Sequence, residues 1–568
     1  MKKNICLALL ASWLFSAAVL SAATHLEPFQ RLVVLEAGRK KPLDTFARNL
    51  LKQFSGQATL AGMDASTWLA RVFFTPEQTF DDKIFLVNQP DVLAAIGVDG
   101  EGRGRFSFSQ LRPALDRLHE LAFQYADLND SGKGRVENET LRLFYNISVY
   151  YSLLGAFRSA QAGTAASQDR QGDSGLPAIV PLGNGPGEPW LSPAQALARG
   201  ASLPAAVQRE ISLLARAARS YAEGHWIDFG QSLTAFNRSL QNRLGPQAVR
   251  GSRISLEIFY NRFNPFSKAE LAYGLALLLL LFSLAVRRRW LERLSSLCLL
   301  LGFMPHTFGM AARMLIMNRP PVTNLYETFV FVAWAGVVMG LLMAWWQKKA
   351  LGILAGGIAG LVFLVIAGRY SLDGDTMGML AAVLDSNLWL ATHVVTISLG
   401  YAGCVVAGII GHVVIIQELF DPRAAAAAGT TRPLYAALAF GLAFTCIGTV
   451  MGGIWADQSW GRFWGWDPKE NGALLIILWC AILFHARLAG WIGHIGLAAG
   501  SIGAIIAVAL AWFGVNLLGV GMHAYGFTSG TARGLLAFVA GELLFLAVAV
   551  PLSKRKPLPQ AAATGNKK

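Results

Sequence analysis

The sequence has few charged residues and few cysteines for its length. Only 15% of its 568 residues are charged, whereas 54% are hydrophobic, and this balance excludes an ordinary water-soluble globule and a disordered chain. The five cysteines form no CxxC pair, and four of them lie in apolar runs. We therefore expect neither a disulfide framework nor a thiol oxidoreductase or a cysteine-based zinc site.

The first 23 residues have the composition of a secretory signal. Lys2 and Lys3 precede an apolar stretch over residues 5–20, and small residues follow up to Ala23. This pattern predicts a signal peptide over 1–23 that is cleaved near Ala23, with an uncleaved anchor as the alternative. In either case we expect the segment that follows to be exported.

Residues 24–268 mix polar and apolar positions and contain no cysteine. The segment is long enough to bury its own core. Leucines at helical spacing, as at Leu111, Leu115 and Leu118, predict helices. Residues 161–189, rich in Gly, Ala, Ser and Pro, indicate a long flexible loop between two helical parts. We therefore predict a mainly α periplasmic domain over residues 24–268.

After Phe266 the sequence changes to long apolar runs. Each has about 18 to 25 residues, and about 20 helical residues cross a hydrocarbon core. Nine such runs predict a polytopic membrane helix bundle over 269–552, followed by a basic cytoplasmic tail over 553–568. The runs cover approximately 269–286, 294–317, 327–346, 350–367, 393–418, 433–455, 472–490, 494–515 and 535–552.

The basic residues indicate how this bundle is oriented. If residues 24–268 are exported, the first span runs inward and every later loop has a predicted side. Of the 20 basic residues after Lys268, 14 then fall on the cytoplasmic side and six on the outer side, in agreement with the positive-inside rule. Topology thus explains the net charge of +14, so we expect a bacterial inner membrane as the location and no nucleic-acid partner.

The predicted outer loop between the sixth and seventh spans is rich in tryptophan. Residues 455–471, called the tryptophan loop below, hold four tryptophans within twelve residues. One tryptophan at a membrane interface is more often an anchor than a site. Here, however, Trp460 and Trp464 would share a face if the stretch is helical. A planar, amphipathic anion would suit this surface, with Arg462 or Lys469 near its carboxylates.

Four histidines lie where such a ligand could use them. His393 starts the fifth predicted span and His523 follows the eighth, so both are expected at the outer surface. His306 and His485 lie deeper, near or past the middle of the membrane at a rise of about 1.5 Å per residue. Two pairs at two depths suggest two bis-imidazole iron sites. A lone histidine inside a span more often hydrogen-bonds a neighbouring helix.

The motifs resemble a known family. Residues 460–470, Trp-Gly-Arg-Phe-Trp-Gly-Trp-Asp-Pro-Lys-Glu, resemble the WWD signature of the haem-handling proteins of cytochrome c maturation. Residues 318–327, 483–487 and 515–526 are similar to motifs of the CcsA (ResC) branch of the System II pathway. These four motifs occur in order. Residues 41–48, Lys-Pro-Leu-Asp-Thr-Phe-Ala-Arg, also resemble CcsA-like proteins with long N-terminal extensions, without an implied role.

The resemblance implies a function. Members of this family hold haem b in the membrane and present it outside beside the tryptophan loop. There the haem vinyl groups join the two thiols of a CXXCH motif in an apocytochrome. The implied site residues are Trp460, Trp464, Trp466 and Asp467 as the catalytic surface, His393 and His523 as the outer iron ligands, His485 and His306 as the membrane ligands, and Arg462 and Lys469 as further haem-binding residues.

The resemblance also implies partners. Residues 24–268 contain no spanning run, unlike a whole CcsB (ResB) protein, so we expect a separate CcsB-type membrane partner and an apocytochrome c client. The second membrane ligand is then either His306 or a residue of that partner. Together the two proteins are expected to form a holocytochrome c synthase.

Two other functional classes are compatible with haem binding by these residues. A haem exporter or chaperone without ligation activity is the alternative. An electron-transferring cytochrome b ranks low, because His393 and His412 are 19 residues apart, unlike the histidine pairs usual in that class.

Overall fold

The computed structural model describes the chain in two compact units, one up to Asn264 together with Ser371–Met379, the other Pro265–Tyr370 with the chain from Leu380 onward. The predicted signal peptide, most of the predicted loop over 161–189, His523 and nearly all of the predicted basic tail lie outside the described residues. Described are residues 25–100, 102–129, 133–154, 156–157, 176–183, 188–249, 251–347, 350–371, 374–380, 386–421, 429–517 and 531–554.

The first unit consists mainly of helices. They are α1 Glu27–Gln30, α2 Leu43–Ser55, α3 Ala65–Phe74, α4 Pro90–Ile96, α5 Phe108–Leu111, α6 Leu115–Ala126, α7 Arg135–Leu154, α8 Pro193–Arg199, α9 Ala205–Ala222, α10 Trp226–Val249 and α11 Gly251–Phe263. Sequence periodicity therefore identified the dominant element type, because these helices bury one apolar face each.

Short antiparallel strand pairs connect some of these helices. Within the predicted loop over 161–189, Val180 and Pro181 form a short strand that pairs with the strand after it. The pairs are β1 Val33–Glu36 with β2 Arg39–Pro42, β3 Thr59–Leu60 with β4 Met63–Asp64, β5 Phe85–Val87 with β6 Gly104–Phe106, and β7 Val180–Pro181 with β8 Trp190–Leu191.

Aromatic side chains fill the core of the first unit. Phe54 of α2 meets Trp68 of α3 edge to face at a centroid distance of 6.0 Å and Tyr150 of α7 at 6.4 Å. The hydroxyl groups of Tyr150 and Thr79 are hydrogen-bonded at 2.6 Å, which satisfies both buried polar groups. The core thus joins helices that are far apart in sequence.

In the second unit the helices are long and apolar. Within the described residues, nine helices are long and apolar enough to cross a membrane, so the prediction of about nine spans is confirmed. They are α12 Pro265–Val286, α13 Arg289–Met317, α14 Leu325–Gln347, α15 Ala350–Tyr370, α16 Asn387–Phe420, α17 Thr431–Trp460, α18 Pro468–Leu488, α19 His494–Gly514 and α20 Thr531–Lys554.

Glycines allow the closest helix contacts in this unit. A methyl group on Gly340 of α14 would lie 2.5 Å from the carbonyl oxygen of Gly352 on α15. On α16, a methyl group at Gly403 would lie 2.7 Å from the backbone nitrogen of Gly441 on α17. Helices in lipid associate largely through such close packing, since burial from lipid supplies little hydrophobic gain. The pairs α14–α15 and α16–α17 therefore require these small residues.

The segment between α15 and α16 belongs to the first unit. Ser371–Met379 is grouped with the residues up to Asn264, and four span-length helices, α12 to α15, separate the two stretches. An even number of spans places both stretches on the same side of a membrane. The membership of this segment in the first unit therefore agrees with the number of spans.

Candidate functional site

His393 lies in a π-helical turn, Leu390–Val394, near the N-terminal end of α16. Its Nδ1 is 2.8 Å from the carbonyl oxygen of Gly448 on α17. A carbonyl oxygen only accepts, so Nδ1 donates and Nε2 carries the lone pair of the neutral ring. Metal-binding histidines use this arrangement, in which the second ring nitrogen donates to a carbonyl and fixes the tautomer.

The ring of His393 rests on a glycine of α17. A methyl group on Gly452 would lie 2.6 Å from Cε1 of His393 and 3.0 Å from its Nδ1. Trp455, one turn further along α17, meets the imidazole edge to face at 5.8 Å. Trp389 of α16 stacks on Trp455 at 6.4 Å and 12°. These contacts fix the orientation of the imidazole.

The tryptophan loop changes from helix to irregular chain at its first glycine. α17 ends at Trp460, and Gly461 caps it with φ 69°, donating its N–H to the carbonyl of Asp457 at 2.8 Å. The condition under which Trp460 and Trp464 would share a helical face is therefore not met, because the left-handed glycine ends the helix between them. Trp464 instead meets Trp466 edge to face at 5.9 Å, and Trp466 is 70% exposed.

Glu470 organises the second half of the loop. One of its carboxylate oxygens accepts the backbone N–H groups of Gly465 at 2.8 Å and Asp467 at 3.1 Å. Asp467 in turn accepts the N–H of Lys469 at 2.9 Å. With Pro468 in the first turn, these bonds form a capping box at the start of α18. Asp467, implied as catalytic by the resemblance, is thus a buried helix cap here.

The two basic residues of the loop differ in their partners. Arg462 lies 3.4 Å from a carboxylate oxygen of Glu470, with its guanidinium 5.9 Å from the Trp460 ring centroid, and its side chain is 33% exposed. Lys469 donates its Nζ to the carbonyl of Trp512 on α19 at 3.0 Å. Arg462 is therefore better placed to meet a ligand carboxylate, whereas Lys469 joins α18 to α19.

His306 is completely buried in the second unit. Its Nε2 is 3.1 Å from the carbonyl of Val330 on α14, so Nε2 donates, and its Nδ1 accepts from the hydroxyl of Tyr273 on α12 at 3.0 Å. Both ring nitrogens are used, and the lone pair that iron needs is directed at a hydroxyl. The geometry gives His306 a structural role between α12, α13 and α14. Its assignment as an iron ligand stays a prediction that these contacts do not support.

His485 has the opposite environment. It is exposed on α18, and its Nδ1 donates to the carbonyl of Ala481 at 2.7 Å, which leaves the lone pair on Nε2. α18 packs mainly on α17 and α19, whereas α13 packs mainly on α12 and α14. The structure therefore does not bring His485 and His306 onto neighbouring helices, and their pairing stays a prediction.

Several residues of the site carried no prediction from sequence. Gly448 and Gly452 are four residues apart on α17, the small-xxx-small spacing that signals a close helix contact. Trp389 precedes His393 by four residues, which places both on one helix face. Glu470 completes an Asp-Pro-x-Glu pattern, and that pattern indicates a helix start. These three signals were present in the sequence.

The motif over residues 318–327 has a structural explanation. Glu327 forms a buried ion pair with Arg313 of α13 at 2.7 Å, and its backbone N–H donates to the side chain of Asn324 at 2.9 Å. Thr323 donates its backbone N–H to the second carboxylate oxygen at 3.0 Å. A buried carboxylate needs such partners, so this motif joins α13 to the start of α14.

Known proteins are similar to this region. Residues 322–523 match the family described as cytochrome C assembly protein. NrfI of Wolinella succinogenes is 25% identical over 512 residues, covering 87% of this chain and 54% of NrfI. CcsA of Chlamydomonas reinhardtii is 31% identical over 223 residues, 36% of this chain and 61% of that protein. CcsA of Synechococcus sp. (strain CC9605) is 29% identical over 238 residues, 36% of this chain and 78% of that protein.

The first two of these relatives are longer than the part that aligns. The chain spans about half the length of NrfI and about three fifths of the Chlamydomonas protein. The family match contains the helices α14 to α19 and the whole tryptophan loop. On these matches, residues 322–523 resemble the cytochrome c assembly family, and the chain is similar there to proteins of the CcsA type.

Proposed function

We propose that this protein binds haem beside the tryptophan loop and supports its covalent attachment to the CXXCH motif of apocytochrome c. The observation that carries the proposal is the imidazole of His393, which is oriented by the Gly448 carbonyl with its lone pair on Nε2. This is the form in which an imidazole binds iron. Similarity to CcsA proteins supports cytochrome c assembly as the process.

Two histidines would complete the outer iron site. His393 supplies one axial ligand, and His523, outside the described residues, supplies the other. Two imidazoles occupy both axial positions and exclude oxygen from the iron. One of them can be replaced by the histidine of an incoming CXXCH motif. Loss of either ligand should therefore weaken haem binding.

The loop supplies the surface for the porphyrin. The exposed ring of Trp466, in contact with Trp464, offers an aromatic face, and aromatic rings prefer offset or edge contacts with planar partners. Arg462, a third exposed, lies where a propionate could compete for it with Glu470. A bidentate arginine–carboxylate contact would fix the rotation of the porphyrin about the iron axis.

Attachment itself requires little chemistry from the protein. Each thiol adds across one vinyl group, so that the sulfur bonds one carbon and the proton goes to the other. No electrons are gained or lost in the sum. Holding vinyl and thiol in contact supplies the rate enhancement, which is why the site contains positioned rings and ligands in place of a nucleophile.

The proposal extends to the membrane and the partner. We place the protein in a bacterial inner membrane, with the tryptophan loop on the periplasmic side. His485, exposed on α18, is the proposed membrane ligand. A CcsB-type membrane protein supplies the second membrane ligand, because both nitrogens of His306 already hold partners.

The absorption spectrum of the detergent-purified full chain tests the outer site. We expect His393→Gly and His523→Gly to retain at least about tenfold less haem than the wild type, since even residues that only orient metal ligands affect affinity by about 10- to 100-fold. Added imidazole should restore part of the loss. His225→Gly, an exposed histidine of the first unit, is the control and should leave the spectrum unchanged. Unaltered bis-imidazole bands in both site variants would remove the outer site.

Coexpression separates ligation from delivery. The chain, a CcsB-type partner and an apocytochrome are expressed together, and the cytochrome is run on a denaturing gel stained for haem. Stain that stays on the cytochrome indicates covalent attachment and supports the proposal. Haem that migrates only as the free molecule indicates an exporter or chaperone instead.

A further inference from the structure

Trp466 has a backbone conformation that large side chains rarely adopt. Its φ is 57°, in the left-handed region, where Cβ comes too close to the following carbonyl oxygen. Glycine and short polar residues tolerate this region, but a bulky residue there is an outlier. Among the described residues other than glycine that have a positive φ, Trp466 is the only aromatic one. Its conformation therefore needs a cause outside the residue itself.

Two side chains of α18 bind the backbone around Trp466. The carbonyl oxygen of Trp466 accepts from the side-chain amide of Asn471 at 3.0 Å. The next backbone N–H, of Asp467, donates to Glu470 at 3.1 Å, and the same carboxylate oxygen accepts the N–H of Gly465 at 2.8 Å. The peptide group after Trp466 is thus bonded at both its carbonyl and its N–H. A strained conformation persists only where the surrounding structure fixes it in this way.

The two side chains are themselves held by a rigid element. Glu470 and Asn471 both lie in the first turn of α18, and the backbone N–H of Asn471 donates to the carbonyl of Asp467 at 2.9 Å. On the other side, the guanidinium of Arg462 occupies the place that a side chain at Gly465 would need. Residues on a helix fix a neighbouring group more precisely than residues on a loop. The start of α18 therefore determines the conformation of Trp466.

Packing inside the protein does not explain why a tryptophan occupies this position. The side chain is 70% exposed, so its indole ring gains little burial that could offset the strain. Its edge-to-face contact with Trp464 at 5.9 Å is a contact between two residues of the same loop. Strained residues that burial does not explain are concentrated at sites that contact ligands. The conformation of Trp466 thus indicates a ligand for its ring.

We propose that Asn471 and Glu470 hold Trp466 in its left-handed conformation and thereby present the indole ring to the porphyrin. Both are positioning residues, which act on haem only through Trp466. The inference rests on the proposed function, because the ligand of the ring is the haem bound beside the tryptophan loop. It assigns Asn471 a role in haem binding.

The first experiment measures the strain without haem. Trp466→Gly removes the Cβ that causes it, and Trp491→Gly is the matched control, an 84% exposed tryptophan of the second unit whose φ is not positive. Both glycines add the same entropy to the unfolded chain, so the difference between the two variants reports the strain. We expect the haem-free full chain with Trp466→Gly to melt about 2 °C higher than the one with Trp491→Gly.

The second experiment measures the haem that each purified variant retains. Asn471→Ala removes the bond to the Trp466 carbonyl, and Asn138→Ala is the matched control, because the exposed Asn138 also donates its amide to a backbone carbonyl, that of Gly134, at 2.8 Å. We expect about fivefold less haem in Asn471→Ala and about tenfold less in Trp466→Gly. Trp466→Phe, which keeps a ring in the same conformation, should retain most of the haem. Asn138→Ala and Trp491→Gly should match the wild type.

The double variant shows whether Asn471 acts through Trp466. If it does, Asn471→Ala has no further effect on haem once Trp466→Gly is present, and the two losses are not additive. Added imidazole should restore no haem to Asn471→Ala, since the iron ligands are intact, whereas it should restore part of the haem of His393→Gly. This difference in rescue distinguishes a residue that positions the ring from a residue that binds iron.

The outcomes separate this inference from the proposed function. A Trp466→Gly chain that melts no higher than Trp491→Gly would overturn the strain. Additive losses in the double variant, or full rescue of Asn471→Ala by imidazole, would overturn the positioning role. Unchanged haem in Asn471→Ala would do the same and leave the outer site intact. A wild-type chain whose haem does not depend on His393 would instead remove the proposed function, whatever the melting temperatures.

Discussion

Two histidines of the second unit, His306 and His393, lie in regions where the imidazole ring differs in its burial and hydrogen bonds. His306 is enclosed by three helices, and both of its nitrogens bond to the protein. His393 is only partly buried, and a carbonyl of α17 fixes its proton on Nδ1. The same residue type thus packs between helices in one region and, in the other, donates one ring proton to a carbonyl, as metal-binding histidines do.

Depth in the membrane is a weak guide to ligand function. A polar group inside a bundle must be hydrogen-bonded, and the neighbouring helices usually supply the partner. What favours a ligand role is a ring whose orientation is fixed through one nitrogen and which is still accessible to a ligand. His485 shares this second arrangement with His393. His306 does not.

The largest expected effect comes from removing the structural histidine. His306→Ala leaves the Tyr273 hydroxyl and the Val330 carbonyl without this partner and creates a cavity, so we expect a loss of about 3 to 5 kcal/mol in stability. Thermal unfolding in detergent measures the loss. The haem retained by each folded molecule should stay at the wild-type value. If His306→Ala has normal stability but loses one bis-imidazole species, His306 is an iron ligand and not a packing residue.

A smaller effect is expected from crowding the imidazole of His393. In Gly452→Ala the new methyl group would lie 2.6 Å from Cε1 of the ring, and overpacking of this kind costs about 1 to 3 kcal/mol. We expect the ring to move and the retained haem to fall severalfold. Gly274→Ala is the matched control, since it lies on α12 with open space around the new methyl group. Equal haem in both variants would contradict a fixed position for His393.

Sequence patterns predict the helices of the bundle better than the contacts between those helices. Long apolar runs predict nine spans, and the described residues contain nine helices of that length, because hydropathy reports directly on length in lipid. The apolar run predicts a fifth span that starts at His393, whereas α16 begins at Asn387, because hydropathy does not register helix that continues beyond the apolar run. The histidine therefore lies in the second turn of its helix and not at its start.

The hydrogen-bond partners of His306 could not be predicted from the sequence. Tyr273 and Val330 are 33 and 24 residues away and lie on two other helices. No local spacing connects them with His306, because only helix packing brings the three together. The role of Asp467, in contrast, could be predicted, since the pattern Asp-Pro-x-Glu before an apolar run is a local helix start signal.

The basic residues of the tryptophan loop, Arg462 and Lys469, form a second pair that can be compared in the same way. Arg462→Gln should lower haem retention about threefold and change stability little, because its ion pair with Glu470 is a third exposed and such pairs contribute about 0 to 1 kcal/mol. Lys469→Met should lower the melting temperature instead, since it breaks the bond to the Trp512 carbonyl. Haem titration and thermal unfolding of both variants distinguish the two. If Lys469→Met lowers haem retention and Arg462→Gln lowers the melting temperature instead, then Lys469 is the residue that contacts the haem carboxylate.

The smallest effect on stability and haem attachment is expected for Asp467→Asn. The result differs according to whether Asp467 is a helix cap or a catalytic carboxylate. Asn caps helices as well as Asp, and loss of a cap costs about 1 kcal/mol. If Asp467 only caps α18, Asp467→Asn should keep both stability and covalent haem attachment, while Asp467→Ala should lose about that much stability and little activity per folded molecule. A catalytic or charged role would instead abolish attachment in both variants at normal stability. Haem staining of the coexpressed cytochrome, normalised to folded protein, decides between them.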